Sequence, residues 1–169
     1  EIADECSPHI AYANDHAGNT LTDTTVSRFG PIIALIGIGH AASHFAFLTV
    51  QPLFPLLKVE FGVSYAALGL IMTAMSVASG IGQIPAGFLV DRIGARPVLV
   101  GGVALTGLGI ALIGAAPGYW AIVAGAALSG LGNSVFHPAD YAILNGSVAT
   151  PRIGRAFSLH TFAGYAGFA

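Results

Sequence analysis

Long apolar stretches organise this chain. Four complete ones run at about 31–54, 65–88, 97–116 and 119–146, and a fifth, truncated one covers about 156–169. About 20 apolar residues, each rising ~1.5 Å, cross a bilayer core. No stretch carries the wide polar face that a soluble helix turns to water. Lipid offers backbone groups no partner, so such spans must be helical. The expected fold class is all-α, a polytopic membrane helix bundle. Turn signals fall between the spans. Gln51-Pro52-Leu53-Phe54-Pro55 ends the first, and Lys58, Glu60 and Gly62 follow in a short loop. Ala116-Pro117-Gly118-Tyr119-Trp120 makes a tight turn with an aromatic pair at the interface, and Ala149-Thr150-Pro151-Arg152 closes the fourth span.

Composition agrees. Hydrophobic residues make up 54% of the chain and charged residues 8%, against about 25% charged in soluble domains. The 23 glycines suit close helix packing in lipid. A net charge of -2 gives no footprint for nucleic acid, and Cys6 alone forms no intrachain disulfide. Residues 1–30 differ: Glu1, Asp4, Glu5, Asp15 and Asp23 alternate with Ser, Thr, Asn and Gly, and apolar residues show no period. Such a segment is expected to be a disordered polar tail. It lacks the basic and apolar regions of a signal peptide. Its His9 and His16 have no helical spacing and no cysteine ligand beside them. Glu1 in place of Met, and an end inside an apolar run at Phe168 and Ala169, lead to the expectation of an amino-terminal fragment whose carboxy-terminal half lies elsewhere.

Basic residues set an orientation. Arg28, Arg92, Arg96, Arg152 and Arg155 all fall on one side, and only Lys58 falls on the other. The positive-inside rule then makes the tail, the second–third loop and the fourth–fifth loop cytoplasmic, in a cell (inner) membrane.

The second–third loop reads Gly87-Phe88-Leu89-Val90-Asp91-Arg92-Ile93-Gly94-Ala95-Arg96-Pro97. Gly87 lets another helix approach closely, Asp91 ends the second helix where it can pair with arginine, and Gly94 permits the chain to reverse. An ordinary basic turn does not need these residues in this register. The run resembles the signature cytoplasmic loop of the major facilitator superfamily, Gly-x-Leu-Ala-Asp-Arg-x-Gly-Arg-Lys, in sequence and in position. The resemblance extends from about residue 31 onward and implies a fold of two six-helix halves. It also implies a conformational latch built from Gly87, Asp91, Arg92, Gly94 and Arg96. Ala95 and Pro97 stand where the family has basic residues, which weakens the latch. His40-Ala41-Ala42-Ser43-His44-Phe45, Gly130 to Ala139, and Gly154-Arg155-Ala156-Phe157-Ser158-Leu159-His160 are similar to the fosmidomycin-resistance group of efflux carriers. Many proton-driven antiporters carry an arginine four residues before a Gly-x-Gly pair in the fourth helix. Here that position is Ala126.

Polar residues inside spans are costly unless they face a cavity or a partner. At 100° per residue, His40, His44, Phe47 and Gln51 share one arc. So do Ser76, Ser79 and Gln83, and Ser129, Asn133, His137 and Asp140, with Pro138 bending that helix. His160 opens the polar face of the fifth span. The expected substrate and proton path is lined by His40, His44, Gln51, Gln83, Asn133, His137, Asp140 and His160. His137 beside Asp140 invites a proton-relay reading, while Asp140 is equally suited to pair with Arg152 or Arg155. His40 and His44 have the spacing of a metal pair, yet Ala41 replaces the glutamate of a His-Glu-x-x-His hydrolase and the first span holds no acid. No metal or other cofactor is expected. The third span carries only packing signals, Gly101, Gly102, Gly107, Gly109 and Gly114. In the fourth, Ala126, Gly130, Ser134 and Pro138 form a small-residue ridge.

The expected function is secondary active transport of a small solute by alternating access, as proton-coupled efflux, with protons, lipid and a small-molecule substrate as partners. The alternatives are uptake of an organic anion, an intramembrane metal-dependent enzyme on His40, His44 and His137, and a non-transporting scaffold. The topology is directly testable. Single cysteines at Ala95 and Val63 are expected to react with impermeant reagent from opposite sides of the membrane, and labelling of both from one side overturns the orientation.

Overall fold

Helix follows helix through the described residues, with no strand among them. The computed structural model describes the backbone from residue 19 and side chains from residue 30. Helix α1 is Asn19–Leu48, followed by a 3-10 turn at Gln51–Leu53 and the short α2, Phe54–Phe61. Then come α3, Tyr65–Ile93, and α4, Ala95–Gly114. Helices α5, Tyr119–Asn133, and α6, Phe136–Ser147, precede a 3-10 turn at Thr150–Arg152 and α7, Ile153–Ala166. Four stretches are long and apolar enough to cross a membrane: Gly30–Phe61, Tyr65–Ile93, Ala95–Gly114 and Tyr119–Ser147.

The boundaries differ from the sequence pattern in three places. Residues 19–30, assigned to the polar tail by composition, continue α1 through Pro31. Adding a turn to an existing helix costs far less than starting one. Residues 1–18, with His9 and His16, lie outside the described residues. The first helix also stops at Leu48, before the 3-10 turn that contains Pro52. The fourth span is two helices rather than one bent one. Pro138 has no N–H to return to the carbonyl four residues earlier, at Ser134, and the helix breaks at Ser134–Val135. Ser134 Oγ instead donates to the Leu131 carbonyl at 2.6 Å.

Gly94 makes the α3–α4 turn. Its φ of 89° lies in the region that side chains avoid. Its N–H donates to the Val90 carbonyl at 2.9 Å. Ser64 caps α3, its Oγ accepting from the Ala67 N–H at 3.2 Å.

Helix α5 sits against both α3 and α4. On one side its ridge of Ala126, Gly130 and Ser134 is buried, and Gly130 lies against the Met75 carbonyl of α3. On the other side Thr106 Oγ1 of α4 donates to the Ser129 carbonyl at 3.4 Å. Tyr119 at the start of α5 donates to the Ala67 carbonyl of α3 at 2.8 Å. Around this seam Val50, Leu68, Ile71, Met75, Ile122 and Ala126 form one apolar cluster. A second cluster, Ile36, Leu144, Val148 and Ala156, joins α1 to α6 and α7. Large side chains such as Leu35 and Ile84, both 71% exposed, point outward, as a bundle surrounded by hydrocarbon requires.

Gly130→Val places branched carbon atoms against the backbone of α3, which cannot give way as a side chain can. A loss of about 1–3 kcal/mol is expected, read as a lower melting temperature of the detergent-solubilised protein. Gly107→Ala, with open space around it, is expected to be neutral. Equal melting of the two variants would contradict this packing.

Candidate functional site

Polar side chains gather where α1, α6 and α7 meet. Helical spacing of four places His40 and His44 on one face of α1, and His137 and Tyr141 on one face of α6. Asp140 completes the α6 contribution and His160 comes from α7. His40, Asp140 and His160 are buried, Asp140 and His160 to 1% exposure. The helices come close because Gly164, one turn after His160, carries no side chain. A Cβ there would stand 2.5 Å from Cε1 of His40.

The hydrogen bonds fix the protons. His40 Nδ1 lies 2.9 Å from the His160 carbonyl. A carbonyl only accepts, so His40 donates from Nδ1. Neutral His40 therefore has its lone pair on Nε2. His44 Nε2, 3.0 Å away, donates to it. His160 Nε2 lies 3.0 Å from Asp140 Oδ2, where its N–H donates to that oxygen. The His40 and His160 rings stack with centroids 3.9 Å apart and planes 11° apart. His137 stands edge-on to His40 at 5.3 Å, and Tyr141 edge-on to His160 at 5.7 Å. Nδ1 of His44, His137 and His160 is buried in each case with no partner among the described residues.

His44 and His137 front a cavity of about 180 Å³, which Ser43, Phe47, Asn133 and Phe168 also line. Asn133 Nδ2 donates to Ser79 Oγ of α3 at 3.1 Å, and its Oδ1 is buried without a partner. One nitrogen from each of His40, His44 and His137 lies within 4.8 Å of the other two, so among the described residues this trio has metal-binding geometry.

The expected path residues divide. His40, His44, His137, Asp140, His160 and Asn133 are brought together. Gln51 is exposed in the 3-10 turn beyond α1, and Gln83 is half-buried in α3 away from the cavity lining. Asp140 bonds to His160, a partner that the sequence did not single out, instead of to His137. Ser43, Tyr141 and Gly164 belong to the site and were missed. Tyr141 and Gly164 each follow a site histidine by four residues, which is the signal that finds them.

The expected latch residues lie at the α3–α4 turn. Asp91, Arg92 and Arg96 are exposed, and among the described residues no ion pair ties them together. Gly87 has nothing within 4 Å of the place where a Cβ would stand. The close helix approach expected there is not made among the described residues.

Comparison with known proteins agrees with this architecture. The sequence model of the Major Facilitator Superfamily matches residues 36–169. The chain is 28% identical to the MFS-type transporter YfnC of Bacillus subtilis, over 87% of this chain and 37% of that one. It is 29% identical to the fosmidomycin resistance protein of Escherichia coli, over 72% of this chain and 30% of that one. It is 34% identical to the multidrug resistance protein MdtH of Cronobacter sakazakii, over 63% of this chain and 27% of that one. The chain thus spans about a third of the length of the curated relatives it matches. A match across four apolar spans, with the Gly94 turn between the second and third, places this chain in the Major Facilitator Superfamily, an integral membrane family of transporters rather than enzymes.

Proposed function

We propose that this chain is part of a secondary active transporter that exports a small polar or amphiphilic solute in exchange for protons, by alternating access, from a cell (inner) membrane with the amino terminus cytoplasmic. The observation that carries this reading is the buried Asp140–His160 pair behind a histidine-lined cavity. Ionisable groups inside membrane spans mark substrate and proton pathways. Efflux is favoured by relatives whose names describe fosmidomycin and multidrug resistance. Among the described residues no Arg or Lys lines the cavity, so none of them favours an organic anion as the transported species.

Asp140 is the group proposed to carry the proton. It faces His160 of α7, with His137 one turn earlier on α6 and His40 of α1 stacked on His160. On the side of α3 and α4, Val90 and Val98 pack around Ala139 of α6. A carboxylate at this place holds His160 as a donor. A protonated one gives up that attraction and lets the α6–α7 contact loosen. Solute and proton would then bias the same contact, which is what coupling requires. His137, on the cavity wall, is proposed to meet the solute, along with His44 and Asn133.

Two outcomes follow, both read in proteoliposomes with the full-length protein. Asp140→Asn keeps the size and hydrogen bonding of the carboxyl but removes the proton site. Fosmidomycin and a multidrug panel are the probes. The variant is expected to retain solute counterflow and to lose transport driven by a pH gradient. Undiminished gradient-driven transport would sink the proton role of Asp140. Asp91→Asn tests the proposed latch of Asp91 with Arg92, Arg96 and the other half of the protein. Turnover is expected to fall on the order of tenfold, equivalent to about 1.4 kcal/mol, with membrane insertion intact. Wild-type turnover would show that no latch operates at this turn.

A further inference from the structure

We infer that His40, His44 and His137 form a binding site for a late first-row divalent metal ion of the Zn²⁺ class, bridging α1 and α6 at the cavity wall. The inference stands on these side chains and not on the transport reading.

Geometry comes first. Zinc–nitrogen bonds of about 2.0–2.1 Å in a tetrahedron put ligand nitrogens about 3.3 Å apart. Here His40 Nε2 and His44 Nε2 are 3.0 Å apart, and all three rings offer nitrogens within 4.8 Å of one another. Small ring rotations close the remaining gap. Orientation is already provided. A metal-ligating imidazole characteristically donates its other N–H to a carbonyl or carboxylate, and His40 Nδ1–H does so to the His160 carbonyl. Its Nε2 lone pair is thereby aimed at the other two rings.

Spare capacity is present as well. His44 Nδ1 and His137 Nδ1 are buried with no partner among the described residues. On metal binding, the His44 proton moves from Nε2 to Nδ1, and the imidazole–imidazole hydrogen bond is exchanged for a metal–nitrogen bond, with no net change in protons. The fourth position faces the cavity, where Asn133 Oδ1 also lacks a partner and can accept from a metal-bound water. Neutral imidazoles select zinc, copper or nickel over magnesium and calcium. The charge of the ion is offset by Asp140, one ring layer away behind His160.

The test uses full-length protein in detergent, stripped with chelator, with Zn²⁺ alone and then Co²⁺ alone as probes. Dialysis and elemental analysis are expected to give a single zinc ion per chain. Affinity should fall on the order of tenfold or more in His44→Gln and in His137→Gln. The His9→Gln/His16→Gln double variant, which changes none of the three ligands, should bind as wild type. His137→Cys keeps a ligand in place and is expected to add a near-ultraviolet thiolate-to-cobalt band to the Co²⁺ spectrum. Zinc binding that is unaffected by His44→Gln and His137→Gln, or lost with the tail histidines, overturns the site. So does a His137→Cys protein without the thiolate band.

Discussion

The hydrogen bond from His40 Nδ1–H to the His160 carbonyl joins α1 to α7 and orients the rest of the polar cluster. Once that proton is placed, His40 presents a lone pair to His44 and a ring face to His160. His160 in turn reaches Asp140 with its other edge. A buried polar atom without a partner costs about 1–3 kcal/mol, so His40, His44, His160 and Asp140 survive in an apolar bundle by satisfying one another. They do so incompletely. Among the described residues, Nδ1 of His44, His137 and His160 and the Asn133 oxygen have no partner, all beside or behind one cavity. That unspent bonding capacity is what a proton, a solute or a metal ion would use.

Around the cluster the bundle is held mainly by backbone proximity. Gly130 brings α5 onto the carbonyl of Met75, and Gly164 seats α7 against the His40 ring. Helices in lipid gain little from burying apolar groups, because the surrounding tails are as apolar as leucine, so close contact through small residues carries the association. The break at Ser134–Val135 sits between these two regimes. Before it, α5 is clamped against α3 and α4. After it, α6 carries His137 and Asp140 toward α1 and α7. The redirection imposed by Pro138 is thus what delivers the fourth span's polar residues to the site.

Much of this was legible in the sequence for reasons that are local. Apolar length sets the spans, and a glycine at a reversal sets the α3–α4 turn. Spacing of four sets which polar residues share a helix face. Phase fails wherever the helix itself stops. Counting 100° steps groups Gln51 with His40, but α1 ends at Leu48 and the count no longer applies. Phase also says nothing about depth or neighbours. The Asp140–His160 pair joins residues on two helices separated by a turn, and only the packing of α6 on α7 reveals it. Asp91, Arg92 and Arg96 stay exposed at the α3–α4 turn, with no ion pair among the described residues.

The central claim is that His40 and His44 form one ordered pair whose protons are fixed by the His160 carbonyl. Nitrogen-15 NMR of histidine-labelled full-length protein in lipid nanodiscs reads those protons directly, with His40→Gln and His44→Gln assigning the signals. The account predicts a protonated Nδ1 and a bare Nε2 for His40, and the opposite tautomer, protonated at Nε2, for His44. A His40 ring protonated at Nε2, or rapidly averaging between tautomers, would contradict it.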